Sequence, residues 1–168
     1  LDSFASYIQA ESPDIAWNVA FHPYSAPLTR TDFWNDYSNT SSSVGSPYIS
    51  MRNLDYFTNY LGTLENKYKK EPGSIRVSLA EQGWTSYRCG EKSQAEALAR
   101  GYAIAEKNSR VDSFIIRAEL DDVVEMQSGL YLGIRNRDHT KKTSCYVYTY
   151  MDASGAAMQE FLNANPAD

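Results

Sequence analysis

Ile75-Arg-Val-Ser-Leu-Ala-Glu81-Gln-Gly-Trp84-Thr-Ser86 is a short apolar run with β-branched residues that stops abruptly at a carboxylate, a glycine and an aromatic. The run reads as a strand buried in a sheet. A strand of that kind ending in Glu-Gln-Gly-Trp sets an acid at the rim of the sheet. In parallel α/β folds that rim, at the carboxyl ends of the strands, is where chemistry is done. Val77, Leu79 and Glu81 alternate in phase, so the carboxylate is expected on the face that takes Val77 and Leu79, with Arg76 and Ser78 on the other.

Outward from this strand the chain alternates helix and strand. Residues 1–11 read as a helix with Phe4, Tyr7 and Ile8 on one stripe, ended by Ser12-Pro13-Asp14. Ile15 to His22 reads as a strand with Trp17, Val19 and Phe21 on one face. Ala16, Asn18, Ala20 and His22 form its other, smaller and more polar face. That pairing suits a barrel strand covered by helices outside and facing a narrow interior. Residues 23–50 form a long βα loop rich in Ser, Thr, Asn, Pro and Gly, with an aromatic cluster at Asp32-Phe-Trp-Asn-Asp36. A loop of that length within a compact domain is read here as functional. Residues 51–70 carry Leu54, Phe57, Leu61, Leu64 and Tyr68 at helical spacing, stopped by Pro72-Gly73.

After the Glu81 strand and a loop to Lys92, Ser93-Gln-Ala-Glu96 has the capping-box pattern and predicts a helix from there to about Ser109. Asp112 to Glu119 is the third strand, an acidic loop and Gly129-Leu-Tyr-Leu-Gly133 follow, and helical stretches are expected over Lys141–Met151 and Ser154–Asn163. This order implies a parallel sheet with right-handed crossovers and the long loops gathered on one face. The fold class is therefore α/β, a single domain over residues 1–168. Three strands fall short of a (β/α)8 barrel, which needs roughly 250 residues, so a partial barrel is expected. A small flavodoxin-like sheet is the alternative, but no Gly-rich phosphate turn follows a strand.

Bulk properties narrow the function classes. A net charge of −5 argues against nucleic acid, whose phosphates would be repelled. No apolar run approaches the roughly 20 residues that span a bilayer. Thirteen Tyr and three Trp favour stacking surfaces of the kind sugars use. Cys89 and Cys145 make no CxxC pattern and leave two free thiols or one disulfide open. No metal-ligand spacing, no Gly-x-Ser-x-Gly elbow and no cofactor motif is present, so neither a metal nor a cofactor is expected. The chain opens at Leu1 inside a helical pattern and reads as a piece of a longer protein.

Glu81 is the leading catalytic candidate, weighed against a carboxylate that merely braces a loop. His22 and Tyr24 end the neighbouring strand, where either could orient a nucleophilic carboxylate by hydrogen bonding. Arg117, Glu119, Asp121 and Asp122 end the third strand. An arginine beside Glu81 would favour its ionised form, and a second carboxylate such as Glu119 would oppose it. Asp122 and Glu125 are read as solvated partners of Arg135 and Arg137, with Glu119 and Asp121 left open. Trp84, and less so Trp34, is read either as a sugar-stacking platform or as a core anchor. His139 sits in a polar, basic turn and is read as solvated.

Ala16-Trp-Asn-Val-Ala-Phe-His-Pro-Tyr24, Asp32-Phe-Trp-Asn-Asp36, Val77-Ser-Leu-Ala-Glu-Gln-Gly-Trp-Thr-Ser86 and Gly129-Leu-Tyr-Leu-Gly-Ile134 resemble the carboxyl-terminal half of a bacterial glycosidase-like barrel family of unassigned activity. That family is distantly similar to the retaining β-glycosidases built on (β/α)8 barrels. The resemblance covers roughly residues 15–152. It implies strands six to eight of a barrel, a carbohydrate substrate and Glu81 as the nucleophile ending strand seven. His22 and Tyr24 would then end strand six, with Gln82 and Trp84 as neighbours. Arg117 and Glu119 stand where the glycosidases carry a strand-eight aromatic. The family's acid/base Glu, preceded by Asn, comes from strand four and has no counterpart in this chain. A retaining mechanism needs two carboxyl groups roughly 5–5.5 Å apart. The resemblance therefore implies that this stretch is inactive alone and partners the missing barrel half or a second copy. A non-catalytic carbohydrate-binding or scaffold domain is the competing expectation, and a plain α/β interaction domain a weaker one.

Overall fold

The structure, a computed structural model, describes residues 1–43 and 45–152. In chain order it contains α1 (Asp2–Glu11), β1 (Val19–Phe21), α2 (Leu54–Lys67), β2 (Val77–Gln82), α3 (Gly90–Lys107), β3 (Val111–Ile116), α4 (Val123–Gln127) and α5 (Thr143–Tyr150). The strands form one parallel sheet in the order β1-β2-β3, so the Glu81 strand is central. The helix expected over 154–163 lies outside the described residues.

The alternation read in the first strand holds. Trp17, Val19 and Phe21 pack on the core, while Ala16, Asn18, Ala20 and His22 are exposed. Only Val19–Phe21 enters the ladder, in register with Val77–Leu79. On the core side Val77 and Leu79 are fully buried beneath Leu54, Leu61 and Leu64 of α2 and Ala97, Leu98 and Ala105 of α3. On the opposite side Ser78 and Ser113 meet hydroxyl to hydroxyl at 2.6 Å. The α1 stripe is a correction: Phe4 and Tyr7 are exposed and Ala5 is the buried residue. Phe4 does meet the Trp17 ring edge-on at 5.8 Å.

Two further expectations are overturned. Gln82, not Glu81, continues the buried face of β2, because three steps from Leu79 to Gln82 answer two steps from Phe114 to Ile116. That extra residue is a bulge, and a bulge turns the residues beyond it to the other face. The α3 helix starts at Gly90 (φ 81), so Ser93 lies inside it and Glu96 pairs with Arg100 instead of closing a capping box. A real box caps the 3-10 turn that precedes α2, built from Ser50 and Asn53.

At the amino end of the sheet, buried Glu65 of α2 ties the layers together. It takes a double hydrogen bond from Arg110 at 2.6 and 2.8 Å and accepts from the backbone N–H groups of Gly73 and Ile75. Those bonds, Arg110 first, hold its carboxyl down at about 2.

Candidate active site

The carboxyl end of β2 presents Glu81, with its side chain about one-third exposed. The bulge that buries Gln82 delivers this carboxylate to the rim, where the segments following β1 and β3 converge on it. Tyr24 donates from its hydroxyl to Glu81 Oε1 at 2.9 Å. His22 Nδ1 stands 3.4 Å from Oε2, and Arg117 Nε stands 3.3 Å from Oε1. A tight turn in which Tyr24 N–H donates to the His22 carbonyl, with Pro23 buried, brings both rings to the same carboxylate. Burial, and next the bond to Glu81, push the Tyr24 phenol well above its ordinary range, so it stays a donor.

Arg117 is itself held. Its Nε and a terminal nitrogen donate to Glu125 Oε1 at 3.1 and 2.7 Å. Asp122 caps α4 by accepting from Val124 N and Glu125 N, which fixes the helix that carries Glu125. One guanidinium is thus hydrogen-bonded to Glu125 and stands in ion-pair distance of Glu81. The grip on Glu125, then the neighbouring Glu81, raises the arginine above its usual range, so it stays a cation. The Arg117 backbone is tied in as well, its N–H donating to the Gln82 carbonyl at 2.5 Å. Gly83 leaves room for this junction, because a Cβ there would stand 2.5 Å from the Arg117 carbonyl oxygen.

The structure brings Glu81, His22, Tyr24 and Arg117 together and leaves the other sequence candidates elsewhere. Trp84 is 3% exposed, stacked on Phe33 at 5.4 Å and pressed against Gly101, so it is a core anchor with no face open to a sugar. Trp34 is covered by the Arg100 guanidinium 4.5 Å above its ring. Gln82 is buried on the core side, and neither amide atom has a hydrogen-bond partner among the described residues. Glu119 is exposed and pairs with Arg135 at 3.4 Å. Asp121 is buried in an ion pair with Lys142 at 2.8 Å and accepts from Gly133 N–H, which makes it a loop brace. Glu125, read as solvated, belongs to the site instead. Its signal was the Asp122-Val-Val-Glu125 spacing, which predicts a capped turn that fixes the glutamate. Cys89 and Cys145 are both free.

A family model matches residues 1–164 of this chain. The chain belongs to the family of unknown function DUF5722. Among curated proteins no sequence matches this DUF5722 chain. Among solved structures it is similar to a family 39 glycoside hydrolase from the gut symbiont Bacteroides cellulosilyticus WH2, with a TM-score of 0.55 and 19% identity. The likeness covers 79% of the DUF5722 chain and 26% of the hydrolase, so the chain spans about a quarter of the structure it matches. At that identity the likeness is one of fold.

Proposed function

We propose that Glu81 is the nucleophile of a retaining glycoside hydrolase and that this chain supplies strands six to eight of its (β/α)8 barrel. The observation that carries the reading is the threefold hold on one carboxylate at the end of the central strand, by Tyr24, His22 and Arg117. The fold likeness to a family 39 glycoside hydrolase supports it. In this reading a Glu81 oxygen attacks the anomeric carbon while the leaving oxygen takes a proton from an acid outside the described residues. Water then cleaves the glycosyl ester and regenerates the carboxylate. Tyr24 and His22 orient the attacking group. Arg117 balances its charge from 3.3 Å beside Oε1, the oxygen that also takes the Tyr24 hydrogen bond, which leaves Oε2 the freer atom.

Hydrolysis of polysaccharide by the full-length protein, lost in Glu81→Gln with substrate binding kept, is the expected result. Hydrolysis that survives Glu81→Gln contradicts the reading. One observation favours a second reading, a saccharide-binding domain without turnover. Glu125, the other carboxylate on Arg117, accepts two hydrogen bonds from that guanidinium at 3.1 and 2.7 Å and serves there as its brace. Saccharide binding without hydrolysis by the full-length protein would select that alternative.

A further inference from the structure

Gln82 is 1% exposed at the end of β2, and neither atom of its amide has a hydrogen-bond partner among the described residues. A buried amide left unpaired costs stability. The bulge sharpens the question. A regular ladder would bury Glu81 and turn Gln82 outward, whereas the bulge does the reverse. Both side chains are polar, so the hydrophobic effect does not choose between the two registers. A polar partner beside Gln82 would.

A cavity of about 10 Å³ lies beside that residue, with Gln82, Trp84, Gln94, Leu98, Ile134 and Ser144 among its walls. This is about the room that a single water molecule needs. In a space so small, polar groups on facing walls reach the same molecule. Ser144, fully buried in the first turn of α5, donates from its hydroxyl to Gln94 Oε1 at 2.8 Å and keeps its own lone pairs to accept with. Gln94 cannot turn toward Gln82 instead, because its Nε2 is spent on the carbonyls of Trp84, Tyr131 and Gly133 at 2.8, 3.1 and 3.1 Å. The cavity therefore offers a water an amide on one side and an accepting hydroxyl on the other. Two polar partners are enough to keep a buried water in place.

We propose that this cavity is a one-water site and that Gln82, holding the water against Ser144, is a positioning residue for Glu81. It fixes the bulge that turns Glu81 to the rim, and with it the carbonyl that receives the Arg117 N–H. The positioning role rests on the reading of Glu81 as nucleophile, whereas the water site rests on the cavity and the amide. In water–amide NOE spectra of the isotope-labelled full-length protein, the Gln82 side-chain amide protons should show a cross-peak to a long-lived water. Absence of that peak overturns the site, whether or not any variant folds. Gln82→Leu keeps the bulk and removes the amide. Its Tm should fall, and the ring resonances of His22, which stands 3.4 Å from Glu81, should move while those of His139 stay. A Tm equal to or above wild type overturns the proposal, since removing an unpaired buried amide would stabilise the chain. Unmoved His22 resonances overturn the positioning role. In hydrolysis assays kcat of Gln82→Leu should fall about 10- to 100-fold with KM kept, as a misplaced nucleophile requires. Hydrolysis that survives Glu81→Gln fails the nucleophile reading, whereas a missing water cross-peak fails this one.

Discussion

At the scale of single residues, the candidate site is a carboxylate whose neighbours leave it little freedom. Tyr24→Phe removes one hydrogen bond to a charged group and nothing else. Such a bond is worth about 1.5–3 kcal/mol, so kcat of the full-length protein should fall about 10- to 100-fold with KM little changed. Equal kcat in Tyr24→Phe would mean that the hydroxyl does not position the nucleophile. His22, Tyr24 and Glu81 were legible in the sequence because residues that end adjacent parallel strands are neighbours whatever the loops do. Glu125 was legible only as part of a capped turn, because its link to Glu81 runs through the Arg117 guanidinium, which spacing does not show. Trp84 was ambiguous for a different reason. Only the packing of Phe33 and Gly101 around its indole decides that it is core.

At the scale of elements, the strands are positioned by contacts that a pattern reading does not contain. Hydrophobic period placed β2 and α2 correctly, yet it assigned Glu81 to the wrong face, because a bulge adds one residue without altering the composition. Ser93 and Glu96 have the right spacing for a cap, but the chain had already turned into helix at Gly90. The β2–β3 junction has no slack at Gly83. Gly83→Ala would drive a Cβ onto the Arg117 carbonyl, and overpacking of this kind costs about 1–3 kcal/mol. A lowered Tm together with lost hydrolysis is expected, and an unchanged Tm would contradict the close approach. The Glu65–Arg110 pair fastens α2 to the start of β2 and β3. Its folded-state value of about 2 lies below the ordinary 4.5, so its stabilisation is complete above pH 4.5 and disappears as pH falls toward 2. Glu65→Gln leaves a half-buried arginine without its counter-charge and should cost about 3–5 kcal/mol at neutral pH. In urea titrations from pH 7 to 3, wild type should lose stability steeply below 4.5 and the variant much less. Parallel pH profiles would argue against the pair.

At the scale of the whole molecule, the described residues form a parallel sheet of three strands whose outer members, β1 and β3, each have one unpaired edge. Bare parallel edges invite pairing with another chain. Light scattering on the chain should therefore give a dimer or larger species, unless the edges are completed by further barrel strands in a longer protein. A monodisperse monomer would count against this. The parallel α/β order was legible because helix and strand periods alternate along the chain. Three strands fix a sheet and not its curvature, so barrel closure belongs to the proposal alone. The central claim is that Glu81 forms a covalent bond to sugar. Fluoride departs without protonation, so 2-deoxy-2-fluoro-β-glycosyl fluorides of the gluco, xylo and manno series can trap that bond whatever residue serves as the acid. Mass spectrometry of the digested full-length protein should find one fluorosugar on the peptide bearing Glu81, absent in Glu81→Gln. A label on any other residue, or no label from the three sugars, would contradict the account.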